Sequence, residues 1–161
     1  MPLLTQTLLI VAILATGVLA GSYIDRAFVG LPAWQWLGPE VWAAYSRHAD
    51  LGVGLVLYPL AAIGGALLTL AAAVSFHFDR SASREAAWPL YAAVVLSAAG
   101  LGLTLMAAPI MLGLPGVTDP AALRRSFEAF YFWSHWRGAC QTLAFAFQLW
   151  ALATLGPNGQ P

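Results

Sequence analysis

The sequence contains no lysine, few other charged residues and a single cysteine. Only 9% of its 161 residues are charged, whereas a soluble domain usually carries about a quarter. Hydrophobic residues make up 60% of the chain, and the mean hydropathy is +0.75. This composition excludes an ordinary soluble domain and predicts a membrane protein.

The balance of charges and the cysteine count exclude three further classes of protein. The formal net charge is zero, so the chain lacks the basic surface that nucleic-acid binding requires. Cys140 has no second cysteine with which to form an internal disulfide, and no zinc-binding spacing of Cys and His is present. Nucleic-acid binding, a disulfide scaffold and a zinc finger are therefore set aside.

Four apolar segments are long enough to cross a bilayer as helices, for which about twenty residues suffice. They occupy residues 3–24, 51–76, 86–112 and 133–155. The first could be mistaken for a signal peptide, but no basic residue precedes its apolar run, so we expect a retained transmembrane helix. We predict one all-α domain over residues 1–161, an integral membrane four-helix bundle.

The two long connections, residues 25–50 and 113–132, fall at one end of this bundle, which we call the arginine-rich end. The segments of this end hold five arginines, namely Arg26, Arg47, Arg124, Arg125 and Arg137. The opposite end has the short link at residues 77–85 and two arginines. The positive-inside rule predicts that the arginine-rich end faces the cytoplasm. The expected location is a bacterial cytoplasmic membrane.

Each long connection is predicted to contain an interfacial helical segment. Residues 31–45 carry aromatic side chains typical of a membrane interface: Trp34, Trp36, Trp42 and Tyr45. In the second connection Asp119 can cap a helix that begins at Pro120. A helix unbroken from there to residue 155 would be about 54 Å long, more than a bilayer needs. We therefore expect residues 120–130 to lie in the interface or bend over the end of the bundle.

The segment FYFWSHWRGACQT, residues 130–142, places His135 and Arg137 in the fourth span. At about 100° per residue these two side chains point about 160° apart. One polar stripe contains Trp133, Ser134, Arg137, Gln141 and Gln148. An arginine in a span costs roughly 2.5–3.5 kcal/mol, so it should face water or the interior of the bundle. Snorkelling to headgroups would explain the arginine but not the glutamines beneath it. The stripe predicts a polar cavity open at the arginine-rich end.

Candidate catalytic groups gather around this predicted cavity. Tyr45 and His48 share a helix face at the mouth of the second span. Either His48 or His135 is predicted to act as a general base, and Arg137 to stabilise the resulting anion. Four further side chains are predicted to bind an apolar small molecule: Trp133, Ser134, Trp136 and Gln141.

Two other functions are open from the same residues. His48 and His135 can instead be axial ligands of a haem b held between the second and fourth spans. No third ligand at a recognisable spacing supports a copper or iron site, so no metal-binding residue is predicted. The remaining alternative is a non-catalytic subunit or assembly factor, in a homo-oligomer or a larger membrane complex. The lack of an acidic residue within the spans disfavours a proton-coupled transporter.

Three stretches resemble the anthrone oxygenase-like family of small four-helix membrane proteins. They are GVLAGSYIDRAFVGLP in the first span, AAYSRHADLGVGLVLYP at the start of the second, and FYFWSHWRGACQT in the fourth. The family's Trp, Asn and Arg of the fourth helix map onto Trp133, Ser134 and Arg137, and His48 stands where the family often has asparagine. The resemblance implies an oxidase or oxygenase that uses molecular oxygen, without a usual cofactor, on an apolar, enolisable or phenolic substrate taken from the bilayer.

Overall fold

The computed structural model describes residues 2–79 and 83–155, nearly all of them helical. The α-helices are α1 (Pro2–Asp25), α2 (Leu31–Leu37), α3 (Pro39–His48), α4 (Gly54–Phe78), α5 (Ala87–Gly113) and α6 (Pro120–Leu155). Two π-helical turns, Arg26–Gly30 and Ala49–Val53, join α1 to α2 and α3 to α4. Short 3-10 turns, Arg84–Ala86 and Leu114–Gly116, flank α5.

Four of these helices, α1, α4, α5 and α6, form the predicted all-α bundle. Helix α1 packs against α4 and α6, and α5 packs against α6 and α4. Each belongs to a helical segment long and apolar enough to cross a membrane. The chain is therefore an integral, multi-pass membrane protein, which confirms the prediction from composition. Helix α4 begins three residues later than predicted because the π-helical turn occupies residues 49–53.

The first long connection contains α2 and α3, but its tryptophans do not all behave as interfacial residues. Trp36 is 85% exposed, as expected of a belt side chain, whereas Trp42 is only 1% exposed. The ring of Trp42 lies 5.3 Å from that of Phe127 and 5.7 Å from that of Phe130. Assigning Trp42 to the interface was wrong because α6 extends past the bundle and supplies these rings as partners.

Helix α6 is continuous from Pro120 to Leu155, so residues 120–130 do not bend over the end of the bundle. Asp119 caps it as predicted, since its Oδ2 accepts a hydrogen bond of 2.7 Å from the Ala122 N–H. Leu123 and Phe127 are buried against α3. Burial of these side chains stabilises the first turns of α6 as a continuation of the same helix.

Arg47 joins α3 to the second connection. Its Nη2 donates hydrogen bonds to the backbone carbonyl oxygens of Leu114, at 3.1 Å, and Val117, at 2.7 Å. These carbonyls lie just beyond α5, where a helix leaves acceptors unpaired. Arg47 thus has a structural role, and it holds the α3–α5–α6 corner together at the arginine-rich end.

Three polar side chains form a buried hydrogen-bond network in the middle of the bundle. The Thr16 hydroxyl donates to Gln148 Oε1 at 2.6 Å, and Gln148 Nε2 donates to Thr69 Oγ1 at 2.7 Å. These two hydrogen bonds connect α1, α6 and α4, and Gln148 is fully buried. Gln148 was predicted to continue the polar stripe of a cavity. That prediction was wrong, because threonines of two neighbouring helices occupy its hydrogen-bonding groups.

Replacing Trp42 with alanine is expected to cost about 3–5 kcal/mol of unfolding free energy, since it empties the centre of the aromatic cluster. Trp36→Ala is the matched control, and it should change stability by no more than about 0.5 kcal/mol because Trp36 is exposed. Reversible unfolding of the detergent-solubilised protein, followed by tryptophan fluorescence and circular dichroism, provides the measurement. Equal losses in the two variants would contradict the assignment of Trp42 to the core.

Candidate functional site

A cavity of about 550 Å³ lies between the four long helices, toward the arginine-rich end. Its walls are mostly apolar and come from α1, α4, α5 and α6. Pockets for small molecules usually have volumes of about 300–1,000 Å³ and an apolar lining with a few polar groups. The polar groups here are Ser22, Tyr23, Arg26, Asp50, Tyr58, Thr104, Ser134, His135, Arg137 and Gln141. The cavity therefore has the size and lining of a small-molecule site.

One wall carries an ion pair between Arg26 and Asp50. Arg26 Nη2 donates a hydrogen bond to Asp50 Oδ1, and a second, 2.9 Å long, to the Tyr58 hydroxyl oxygen. The guanidinium also lies over the Tyr58 ring, 5.0 Å from its centre. Asp50 is buried, and its second carboxylate oxygen, Oδ2, accepts no hydrogen bond from the described part of the chain. A ligand with a hydroxyl donor would satisfy that oxygen.

The two π-helical turns position this ion pair. Arg26 is the first residue of one turn, and Asp50 is the second residue of the other. A π-helical turn inserts an extra residue and thereby changes which side chains face a neighbour, and such turns often occur at functional sites. At Gly52 the backbone leaves helical geometry, with ψ −118°. This distortion sets the direction from which α4 begins, one turn beyond Asp50.

Arg137 brings an unpaired positive charge into the cavity. It is half-buried, and its guanidinium carbon lies 6.0 Å from the centre of the Phe130 ring. Within residues 2–79 and 83–155 it makes no hydrogen bond or ion pair. Because Arg26 and Asp50 neutralise each other, the charged groups of the cavity sum to one positive charge. An anionic ligand would therefore be attracted to Arg137.

Ser134 and Gln141 lie on the same helix face as Arg137 and also line the cavity. Ser134 Oγ is buried and has no hydrogen-bond partner in the described structure. Buried hydroxyls are normally paired, so this one is an unsatisfied group in a residue that borders the cavity. Of the five predicted stripe residues, the structure thus places Ser134, Arg137 and Gln141 in the cavity.

His135 lines the cavity beside Tyr23, a residue that the sequence reasoning missed. The Tyr23 hydroxyl oxygen lies 3.1 Å from His135 Nδ1. The Tyr23 ring packs over Gly138, where a Cβ atom would overlap it, so only glycine fits at this position. When Nδ1 is protonated and donates a hydrogen bond to the tyrosine oxygen, Nε2 keeps a free lone pair. Tyr23 can in this way hold His135 in the tautomer that acts as a base at Nε2.

The remaining predicted site residues do not line the cavity. His48 and His135 are both exposed, but His48 is not among the residues that border the cavity, and its Nδ1 lies 2.9 Å from the backbone oxygen of Ala44 in its own helix. The Tyr45 ring packs against Trp34, with 5.3 Å between their centres. Trp133 packs against the Trp42 cluster, and Trp136 is exposed. In contrast to the prediction, catalytic roles for His48 and Tyr45 have no support from this arrangement.

The haem alternative requires His48 and His135 to face one site between α4 and α6. Only His135 borders the cavity, and its Nδ1 already faces the Tyr23 hydroxyl. His48 lies on the outer part of α3, in contact with a backbone carbonyl of that helix. The geometry therefore does not bring the two imidazoles together as an axial pair.

Tyr23 and Tyr58 show what kind of residue sequence reasoning overlooks. Each is a single tyrosine within an apolar span, and each becomes part of the site only through a partner far along the chain. Tyr23 meets His135, and Tyr58 meets Arg26. No family model, no curated protein and no solved structure matches the chain. The site must therefore be interpreted from its own geometry.

Asp50→Ala is expected to cost about 3–5 kcal/mol of unfolding free energy, because it leaves the half-buried Arg26 without its counter-ion. The double variant Arg26→Ala/Asp50→Ala should lose less than the sum of the single variants, by more than about 1 kcal/mol. Chemical unfolding in detergent gives these values. The exposed pair Arg124 and Glu128 on α6 is the control cycle, where coupling should be close to zero. Additive losses at Arg26 and Asp50 would contradict the pairing.

Proposed function

We propose that the protein is a membrane-embedded oxidase or oxygenase that acts on a small apolar enol or phenol bound in this cavity. The observation that carries the proposal is the Arg137 guanidinium, unpaired at one side of a mostly apolar cavity whose other charges cancel. A ligand that is apolar over most of its surface and anionic at one point complements both features.

Arg137 is proposed to bind the oxygen of the substrate anion. An arginine in a site with little water stabilises a developing oxyanion far more than the same charge would in bulk water. Ser134 Oγ can donate a further hydrogen bond to the same oxygen, since its hydroxyl has no other partner in the described structure. Asp50 Oδ2 can accept a hydrogen bond from a second hydroxyl of the substrate.

His135 is proposed to be the base that removes the proton. Imidazole is suited to this step near neutral pH. In the proposed arrangement Nδ1–H donates a hydrogen bond to the Tyr23 hydroxyl oxygen, 3.1 Å away, which leaves the lone pair of Nε2 free. Without this hydrogen bond, neutral imidazole would populate both tautomers, and only one of them has a free lone pair at Nε2. His135 is the histidine that borders the cavity among the described residues, so the proposal assigns no catalytic role to His48.

The chemistry follows from the acidity of a methylene group activated by a carbonyl and aromatic rings. Loss of one proton to His135 gives an anion, which reduces oxygen by one electron. The carbon radical and superoxide then combine, and the proton returns from His135 to give a hydroperoxide. Loss of water forms a carbonyl group, so that methylene and oxygen yield ketone and water. All four electrons come from the methylene carbon.

This proposal agrees with the resemblance to the anthrone oxygenase-like family. The resemblance rests on Trp133, Ser134 and Arg137, of which the latter two border the cavity. The family's activity is carried over here as part of the proposal. We also propose that the arginine-rich end faces the cytoplasm of a bacterial cell, by the positive-inside rule.

The decisive experiment measures oxygen uptake by the protein in lipid nanodiscs, with anthrone as the probe substrate. Arg137→Ala should lower kcat/KM by about 10²–10³-fold, as expected when an oxyanion donor is removed. His135→Ala should lower it by about 10²-fold or more, the usual contribution of a general base. Wild-type rates no higher than those of empty nanodiscs would overturn the proposal for this substrate class.

Two controls make the same chemical changes away from the cavity. Arg124→Ala removes an exposed guanidinium from α6. His77→Ala removes an imidazole whose Nδ1 lies 3.2 Å from the Tyr91 hydroxyl, a pair similar to His135 and Tyr23. Both controls should keep the wild-type kcat/KM within about twofold. If they lose as much activity as the cavity variants, the assignment of roles is wrong.

Tyr23→Phe tests the orientation of His135. Loss of this hydrogen bond, worth about 0.5–1.5 kcal/mol, should lower kcat by about 2–10-fold and leave KM nearly unchanged. Tyr91→Phe, which removes the hydroxyl beside His77, is the matched control and should have no effect. Steady-state oxygen uptake gives both parameters. A rise in KM at constant kcat would instead indicate that Tyr23 binds the substrate directly.

A further inference from the structure

The cavity adjoins a place where α4 and α5 separate. At the opposite end of the bundle these helices are in close contact: Ala72, Ala73 and Phe76 of α4 form one buried cluster with Leu90 of α5. The Phe76 and Tyr91 rings also meet there, 6.3 Å apart. At that end, this packing keeps the described parts of α4 and α5 close together.

Toward the arginine-rich end the core is built without α4. Among the described residues, the buried cluster there takes its members from α3, α5, α6 and the turn after α5: Trp42, Ala43, Ala107, Met111, Leu114, Leu123, Phe127 and Phe130. Helix α5 thus turns one face toward α6 and α3. Its other face, toward α4, borders the cavity.

Several side chains of α4 and α5 border the cavity and are at the same time largely exposed. On α4 these are Leu55 and Ile63, exposed by 49% and 51%, and on α5 Leu105 and Leu112, exposed by 75% and 58%. Leu105 is among the most exposed large side chains of the described residues, so no other helix covers it on the α4–α5 side of the cavity. This exposure is what an opening between α4 and α5 would produce.

This opening lies at the depth of the hydrocarbon. Gly102 borders the cavity and precedes the end of α5 by eleven residues, or about 16 Å. With the end of α5 taken as the edge of a hydrocarbon core about 30 Å thick, Gly102 lies near the middle of that core. The facing segments, residues 54–63 and 101–112, contain no charged residue. An apolar molecule dissolved in lipid can cross such a boundary without losing favourable solvation.

We propose that the substrate enters sideways from the bilayer through this gap, and that it carries an apolar tail which remains between α4 and α5 when its acidic head is bound at Arg137. The substrate class is then a tail-bearing enol or phenol dissolved in the membrane. The identity of the head rests on the proposed function, whereas the route rests on the exposure of the gap.

Photo-labelling of the protein in nanodiscs tests the route without turnover. The probes are dinitrophenols, which can cross apolar surroundings as the neutral acid and bind Arg137 as the anion. Each carries a diazirine, either at the end of a dodecyl tail or beside the ring of a methyl analogue. Mass spectrometry should locate the tail label on residues 54–63 and 101–112. Excess unlabelled probe should abolish this labelling. Arg137→Ala should lower labelling by both probes about tenfold or more.

Gly102→Trp should block the gap. A Cβ atom added at Gly102 meets no atom within 4 Å, so a larger side chain can leave the helix into open space. Tail labelling should fall about tenfold because the indole takes the place of the tail, whereas the methyl analogue has no tail and its labelling should stay within twofold. Gly64→Trp is the matched control, since Gly64 also has open space around it and does not border the cavity. Gly102→Leu serves as a smaller plug if the tryptophan variant is unstable.

Three outcomes would overturn the lateral route. In the first, the tail probe labels the connections at residues 26–53 or 114–119. In the second, tail labelling persists in both the Gly102→Trp and the Gly102→Leu variant. In the third, excess unlabelled probe does not reduce the labelling. The expected labelling pattern without oxygen uptake from anthrone would instead overturn the oxidase proposal and leave the route in place. The two proposals therefore fail on different measurements.

Discussion

The ion pair between Arg26 and Asp50 is the interaction on which the cavity depends. It connects the end of α1 to the start of α4 across two π-helical turns. Both partners lie where apolar spans begin or end, so each would be costly to leave unpaired in the membrane. Because this carboxylate is committed to Arg26, Arg137 has no acidic partner within residues 2–79 and 83–155. The net positive charge of the cavity at Arg137 is thus a consequence of the Arg26–Asp50 ion pair on its wall.

Polar side chains serve two separate purposes along the bundle. In the middle, Thr16, Gln148 and Thr69 satisfy one another and hold three helices together. Closer to the arginine-rich end, Ser134, Asp50 Oδ2 and Arg137 border a cavity and have hydrogen-bonding capacity to spare. The residue types are similar in both places. The difference lies in whether a neighbouring helix supplies the complementary group, as it does for Gln148, or whether space is left for a ligand.

Composition and hydropathy were sufficient to predict four membrane-spanning helices, and local capping rules were sufficient for the start of α6 at Asp119 and Pro120. Helical periodicity also grouped Ser134, Arg137 and Gln141 on one face. Periodicity cannot tell which groups a neighbouring helix offers to a side chain, however. Gln148 shares the stripe of Arg137, yet its threonine partners come from α1 and α4. Trp42 similarly looked interfacial because the length of α6 beyond the bundle was not foreseen.

The histidines show the same limit at the site itself. His48 and His135 were equivalent from the sequence, since each lies near the arginine-rich end with polar neighbours. The π-helical turn at residues 49–53 follows His48 directly, and a pattern based on 3.6 residues per turn cannot anticipate the shift that it introduces. In the structure Asp50, two residues later, faces the cavity, while His48 bonds to its own helix.

Charge and access together restrict what the cavity can hold. A fully charged, water-soluble anion would satisfy Arg137 but would have to pass apolar segments of α4 and α5 to reach it through the lateral gap. A wholly apolar lipid would pass the gap but would leave the guanidinium unpaired. A molecule that is neutral in the bilayer and becomes anionic only beside a base meets both requirements. The Tyr23–His135 pair lies at the cavity wall where such a base is needed, so the site favours ionisation after entry.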